Sequence, residues 1–203
     1  MPEPQGVDPA VSRAKFDREI ARYREMEGSY RSRGWFLLEA AFPEALVMFV
    51  AAGVKPPAVA AAVIVDFTDY DLQPPSVRFV DPFTRRLLTR QELNLNMLRK
   101  QIPQGMDPAM ADLLAQQGQL PMSDMIQANG PADPPFVCLP GVREYYDNPA
   151  HSGDPWLLHR NSGEGSLAFI LEKIWQHGVR PLQQYAWTVQ VTGMVHAIQA
   201  IPT

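Results

Sequence analysis

The chain has 203 residues, enough for one domain with a sizeable core, and its 46% hydrophobic and 20% charged residues are ordinary for a globular protein. A net charge of -4 argues against broad nucleic-acid binding, and no uncharged apolar run reaches the roughly 20 residues that span a bilayer. The first residues lack the apolar stretch of a secretory signal, and a single cysteine excludes an internal disulfide. We therefore expect one cytoplasmic domain over residues 1–203, without nucleic-acid or membrane partners.

The first predicted element is an amphipathic helix. Asp8 and Pro9 have the character of an N-cap followed by proline at the first helical position. Apolar residues then recur at helical spacing, which predicts a helix over residues 11–26, with Phe16, Ile20 and Tyr23 on its buried face. Its other faces interleave basic and acidic residues, a pattern typical of a solvated face or of a docking surface for an acidic partner.

Four strands are predicted after a turn region at residues 28–34. The apolar segments "WFLLEAAF", "ALVMFVAA" and "AVAAAVIVDF" are separated by Pro43 and by "GVKPP", which is the spacing of an antiparallel meander. A loop that contains Pro74 and Pro75 then leads into a short strand over residues 77–80. The expected order is one helix followed by a four-stranded sheet.

Residues 84–135 form a predicted insertion, rich in Gln, Met and Leu and poor in β-branched residues. Two short helices are predicted within it, over residues 90–99 and 108–116, and the remainder is expected to be irregular. A segment of this length without strands is unusual inside a compact core, so we expect a lid or a partner-facing elaboration.

The C-terminal part begins with "PFVCLPG", predicted to be extended, and continues through a polar loop to Trp156. A helix is predicted next, with Ser166 as its cap, Gly178 as its stop and a buried apolar stripe made of Leu167, Ile170, Leu171 and Ile174. Residues 181–203 are predicted to be a C-terminal extension, whose alternation fits a strand or a final helix.

This order of elements resembles the ubiquitin-conjugating enzyme (UBC-like) family. "QPPSVRF" resembles the family's proline-pair loop and following strand, "FVCLPG" resembles its active-site stretch, and Trp156 with "GSLAFILEKI" resembles its tryptophan and the helix behind the site. "CLPGVREYYDNPAHSGDPWLLHR" is similar in particular to bacterial conjugating-enzyme-like proteins of BIL-type antiviral operons. Those operons also encode a ubiquitin-like modifier, an activating enzyme and a JAB-type isopeptidase, which the resemblance implies as partners.

The resemblance implies an α+β, UBC-like fold in which Cys138 takes the modifier as a thioester and passes it to a target lysine, without a cofactor or a metal. It also implies partner contacts at Arg18 and Arg22 on the first helix, and at Pro74 and Pro75 in the loop. The family's His-Pro-Asn element, whose asparagine stabilises the oxyanion, is missing here. Asn129, nine positions before the cysteine, is the candidate substitute.

The loop after Cys138 holds three further candidates. Transfer to lysine requires a neutral amine, which a nearby carboxylate or imidazole orients or deprotonates, and Asp147, His151 and Asp154 are the candidates for that role. The same residues are also typical of a tight turn, because Asp and Asn side chains cap turns.

Two other functions stay open at the level of sequence. One is a non-catalytic binding module of the same fold. The other is a metal-dependent hydrolase, since Cys138, His151, Asp154 and His159 are metal-ligand residue types, although their spacing fits no common ligand pattern. His177 and His196 are interpreted as structural.

Overall fold

The computed structural model describes residues 6–103 and 105–184 and begins with two helices. Helix α1 spans Pro9–Glu25, and its cap Asp8 accepts a hydrogen bond from the Ala10 N–H. The predicted first helix, its cap and its buried face are therefore confirmed. A short helix, α2 (Glu27–Ser32), occupies most of the segment predicted to be a turn, so that prediction was wrong.

The four-stranded antiparallel meander is confirmed, and with the helices it gives a mixed α+β fold. Strands β1 (Trp35–Ala41), β2 (Glu44–Ala51), β3 (Ala58–Asp66) and β4 (Ser76–Phe79) pair in the order β1-β2-β3-β4. Alternate side chains of a strand point to opposite faces. One face of the sheet enters the main core with Trp35, Val47, Phe49, Val63, Val65 and Phe79, and the other carries a small cluster of Leu46, Ala62, Ile64 and Val80.

The insertion was expected to be irregular outside two helices, but its described residues form short strands as well as one helix, so that expectation was wrong. Strand β5 (Leu98–Lys100) pairs with β6 (Met122–Asp124), and β7 (Ile126–Gln127) pairs with β8 (Phe136–Val137), both antiparallel. Helix α3 spans Pro108–Gln116, as predicted.

The helix predicted over residues 90–99 is wrong. Leu93, Leu95 and Met97 are buried while Asn94 and Asn96 between them are exposed, and this period of two belongs to extended chain rather than to a helix. The three apolar side chains lie in the main core together with Met125 and Ile126. The insertion is therefore part of the core at these positions, and only its exposed remainder is available as a partner surface.

The C-terminal helix is confirmed. After helix α4 (Arg143–Asp147) and single turns at Pro149–His151 and Trp156–Leu158, helix α5 spans Leu167–Ile174 with Ser166 as its cap and the predicted stripe buried. Gly178 does not end the helix, because the chain continues through a wider π-helical turn at Trp175–Val179. A Cβ at Gly178 would lie 3.1 Å from the Met97 side chain, so the glycine permits close packing instead.

Two sequence predictions concern the end of the chain. The predicted strand or helix of the C-terminal extension, and His196 within it, lie outside the described residues.

Among the residues that are described, no helix is both long and apolar enough to cross a membrane.

Candidate active site around Cys138

Cys138 follows strand β8 and is held by the insertion. Its N–H donates a hydrogen bond of 2.7 Å to the Met125 carbonyl, and its neighbours Val137 and Leu139 are buried in the main core. The cysteine itself is only 3% exposed. Its main chain is thus fixed beside the core just after β8, and its thiol is buried.

The thiol is in contact with His151, which the sequence analysis placed among the candidate residues. His151 Nε2 lies 3.3 Å from Cys138 Sγ, within hydrogen-bond range for sulfur. The imidazole reaches this position because the chain turns at Asn148, whose side chain accepts a hydrogen bond from the Ala150 N–H and starts the turn at Pro149–His151. A thiol and an imidazole in contact are the minimal pair for transferring a proton away from sulfur.

The surroundings of Cys138 favour the protonated form of its thiol. Burial raises the pKa of the Cys138 thiol above its ordinary value, and the positive charge of Arg99 opposes part of that rise. Only the thiolate is a good nucleophile, so a protonated thiol requires a proton acceptor within reach. Within the described structure, His151 is in that position.

Tyr145, to which the sequence analysis gave no catalytic role, packs its ring against the face of the His151 imidazole. The two rings are stacked with their centroids 3.9 Å apart and an interplanar angle of 19°. The Tyr145 hydroxyl donates a hydrogen bond of 3.1 Å to Asp154 Oδ2. Burial and this bond to Asp154 raise the pKa of Tyr145 to about 12, so the phenol remains a donor.

Asp154 also contacts His159. His159 Nε2 lies 2.5 Å from Asp154 Oδ1, and His159 Nδ1 lies 3.0 Å from Glu164 Oε2. The bond to His159 holds the pKa of Asp154 below its usual value, and the same bond raises the pKa of His159. The predicted site residue Asp154 therefore lies one layer away from Cys138, connected to it through Tyr145 and His151.

Helix α4 is anchored to the loop with the proline pair. The Arg143 N–H donates to the Pro75 carbonyl at 2.9 Å and its Nε donates to the Pro74 carbonyl at 3.2 Å, while the Glu144 carboxylate accepts from the Ser76 hydroxyl. Burial raises the pKa of Glu144. Pro74 and Pro75 are buried, and their carbonyl groups hold α4 in place. The partner contacts that the resemblance implies at these two residues stay a prediction.

Asn129 and Asp147, two further predicted site residues, are exposed and lie together. They line a shallow depression of about 340 Å³ whose other walls are Phe136, Glu144, Asn148 and Pro149. Among the described residues, the lining of this depression does not include Cys138. The structure therefore separates the predicted residues into two groups: Cys138 with His151 and, through Tyr145, Asp154; and Asn129 with Asp147.

Arg18 and Arg22, the predicted partner contacts on α1, are more than half exposed, at 53% and 62% of their side chains. Both lie beside Glu19, whose carboxylate is 3.4 Å from Arg22 and 3.9 Å from Arg18. Glu19 is buried, and its Oε2 accepts the Leu167 N–H at the start of α5. The two arginines are thus accessible, and they flank a structural carboxylate.

The residues of the metal hypothesis form two separate pairs, Cys138 with His151 and Asp154 with His159. Within the described parts of the chain, no group of three or more His, Cys, Asp or Glu side chains could hold a metal ion. His177 Nδ1 lies 3.1 Å from the Leu98 carbonyl oxygen, a structural contact between the last helical turn and β5.

Comparison with known proteins places the chain in a family. The model of the Y4jH-like family (Y4jH family) matches residues 7–182. The uncharacterized protein y4jH of Sinorhizobium fredii (strain NBRC 101917 / NGR234) is 54% identical over 204 residues, and the match covers 100% of both chains. The family match spans the sheet, the insertion and the loop after Cys138, and the chain therefore belongs to the Y4jH family.

Proposed function

We propose that this protein is a conjugating enzyme for a ubiquitin-like modifier, in which Cys138 carries the modifier's C-terminal acyl group as a thioester. The observation that carries the proposal is the 3.3 Å contact between Cys138 Sγ and His151 Nε2. It gives the chain's single thiol a proton acceptor in a loop that joins two core elements. The finer expectation of a UBC-like fold belongs to the same proposal. The order of α1, four-stranded meander, Cys138 and α5 supports it.

The loading step transfers an acyl group between two thiols. Cys138 gives its proton to His151 Nε2, and its thiolate attacks the carbonyl carbon of the thioester on the activating enzyme. A C–S bond to Cys138 forms and the C–S bond to the activating enzyme breaks. The proton then passes from His151 to the departing thiolate, so the exchange is close to neutral in energy and needs no cofactor.

The second step transfers the acyl group to an amine. The neutral amine of a target lysine attacks the Cys138 thioester, a C–N bond forms, the C–S bond breaks, and the amine's surplus proton restores the thiol. The depression lined by Asn129, Glu144 and Asp147 supports an approach of the lysine from that side, because carboxylates attract an ammonium group. We propose that Asp147 binds the target lysine there before the amine reaches the thioester. The oxyanion role of Asn129 stays a prediction, because, within the described part of the chain, the depression that Asn129 lines together with Asp147 does not include Cys138 in its lining.

The proposal assigns the partners by surface. The exposed guanidinium groups of Arg18 and Arg22 would contact the activating enzyme, and the exposed part of the insertion would contact a further partner of the same cytoplasmic pathway, such as a JAB-type isopeptidase. Because both arginines are mostly exposed, we expect their replacement to weaken binding more than it weakens the fold.

The test is thioester formation with the host's own modifier and activating enzyme. The protein is incubated with both and with ATP, and the products are separated on a non-reducing gel. We expect an adduct that thiol reagents cleave in the wild type, no adduct in Cys138→Ala, and a thiol-resistant ester in Cys138→Ser. Because the chain has one cysteine, any thiol-sensitive adduct reports that position. Absence of the adduct while the activating enzyme itself is charged would contradict the proposal.

A non-catalytic binding module is the second candidate, and the 3% exposure of Cys138 favours it. This candidate predicts that Cys138→Ser binds the charged activating enzyme as tightly as the wild type and that neither forms an adduct. The same gel, together with a binding measurement on the two proteins, separates the two functions.

A further inference from the structure

The loading step requires an accessible sulfur, yet Cys138 is buried, and the side chain that contacts its sulfur belongs to one segment of the following loop. That segment, Asn148–Asp154, carries His151 over the sulfur at 3.3 Å. Pro149, Ala150, Ser152 and Gly153 within it are exposed, so the segment has solvent on its outer side.

The two ends of the segment are anchored. On one side, α4 is tied to the proline-pair loop by Arg143 and Glu144. On the other side, Trp156 is buried, and its indole N–H donates a hydrogen bond of 2.9 Å to the Asp71 carbonyl. Movement of the segment between these anchors does not require the flanking elements to move.

The segment is attached to its surroundings through two side chains, those of His151 and Asp154. Its main-chain hydrogen bonds are local turns, and the Asn148 N–H bond to the Tyr145 carbonyl is long at 3.4 Å. Within the described structure, two side chains make the remaining hydrogen bonds between the segment and residues outside it. His151 contacts Cys138, and Asp154 contacts Tyr145 and His159. Asp154 therefore connects the segment to both of its anchored flanks.

We propose that Asn148–Asp154 is a lid over Cys138 and that Asp154 is its latch. When Asp154 releases Tyr145 and His159, the lid opens and the thiol becomes accessible to the extended, acylated C-terminal tail of the modifier. When the latch closes, the free thiol is shielded from other electrophiles and from oxidants. This regulatory role rests on the proposed function, whereas the opening itself is a property of the fold that is measurable without any partner.

The experiment measures the rate at which iodoacetamide alkylates Cys138, followed by intact-protein mass spectrometry at constant pH. A covered thiol reacts through its open state, so weakening the latch raises the observed rate in proportion to the open population. We expect about a tenfold increase for Asp154→Ala, because it removes both hydrogen bonds of the latch and each contributes a factor of about three. Tyr145→Phe keeps the stacked ring and loses one of the two bonds, so we expect about a threefold increase.

Asp112→Ala is the matched control, because it removes an exposed carboxylate on α3 and leaves the lid intact. Low urea concentrations separate opening of the lid from global unfolding, since only global unfolding exposes enough surface for a strong dependence on urea. An Asp154→Ala rate equal to that of the Asp112→Ala variant, or a rate increase that depends steeply on urea, would overturn the lid. If alkylation accelerates as expected but no thioester forms with the charged activating enzyme, the lid stands and the proposed function fails.

Discussion

Replacing Glu19 by alanine is expected to destabilise the protein strongly, although the residue lies on a solvated helix beside two exposed arginines. Glu19 is 3% exposed, and its Oε2 accepts the Leu167 N–H at 3.1 Å. That N–H is one of the unpaired donors at the start of α5, and a carboxylate beside them also interacts favourably with the helix dipole. Glu19 therefore joins the first helix to the helix behind the candidate site.

The magnitude follows from these contacts. Leaving the buried Leu167 N–H without an acceptor costs about 1–3 kcal/mol. Losing the negative charge at the start of α5 adds about 0.3–1 kcal/mol. The pairs with Arg18 and Arg22 involve mostly exposed guanidinium groups, so they contribute at most about 0.5 kcal/mol. We expect Glu19→Ala to lower the free energy of unfolding by about 2–4 kcal/mol, and Glu19→Gln by about 1 kcal/mol, because an amide oxygen still accepts the bond.

Urea denaturation followed by tryptophan fluorescence measures both variants. Glu25→Ala is the control, since it removes an exposed carboxylate from the same helix. If Glu19→Ala unfolds within about 0.5 kcal/mol of Glu25→Ala, the range expected for ordinary surface substitutions, the assignment of Glu19 as a link between α1 and α5 is wrong.

Three further predictions concern the loop and the insertion. His151→Ala should slow thioester formation on Cys138 in single-turnover loading by about 100-fold at neutral pH and regain rate as the pH rises, and a rate unchanged at neutral pH would contradict its role as a proton acceptor. The pKa of His159 is raised, so its pairing with Asp154 contributes its full stabilisation at pH values below 6.5, the ordinary histidine pKa. That stabilisation is lost as the pH rises through the raised pKa of His159 in the folded protein. The pKa of Asp154 is lowered, so the same stabilisation is lost as the pH falls below 3.8, the ordinary aspartate pKa, and through the lowered pKa of Asp154 in the folded protein. The difference in unfolding free energy between wild type and His159→Gln should therefore shrink at both ends of a pH series, and a constant difference would refute the pairing. Leu95→Ala should cost about 2–4 kcal/mol in urea denaturation, whereas a cost below about 1 kcal/mol would show that the insertion is peripheral.

Local signals made the helices and the sheet predictable from the sequence. Asp8 with Pro9, and Ser166 before a stripe of apolar residues, are start signals that act within one turn, so α1 and α5 follow from neighbouring residues alone. The meander follows from apolar runs separated by proline and glycine. The alternation of Leu93, Leu95 and Met97 is an equally local signal, and it indicates extended chain rather than the helix predicted over residues 90–99.

The candidate site was predictable as a set of residues and not as a network. Cys138, His151 and Asp154 lie in one loop, so their proximity follows from the sequence. Which imidazole contacts the thiol depends on the path of two short turns, and that path places His151 on the sulfur and His159 on Asp154. The role of Tyr145 depends on the direction of its ring above α4, which sequence spacing in a five-residue helix does not specify.

The insertion is a structural part of the candidate site. The Cys138 N–H bonds to the Met125 carbonyl, and the Met125 N–H bonds to the Met97 carbonyl at 2.8 Å. The cysteine is thus the third member of a row of main-chain hydrogen bonds that starts in the buried extended run of the insertion. Arg99, two residues beyond Met97, is also the charge that moderates the pKa of the thiol. The insertion therefore holds the main chain of the site from one side, and the segment proposed as a lid contacts the sulfur from the other, at a cysteine that is only 3% exposed.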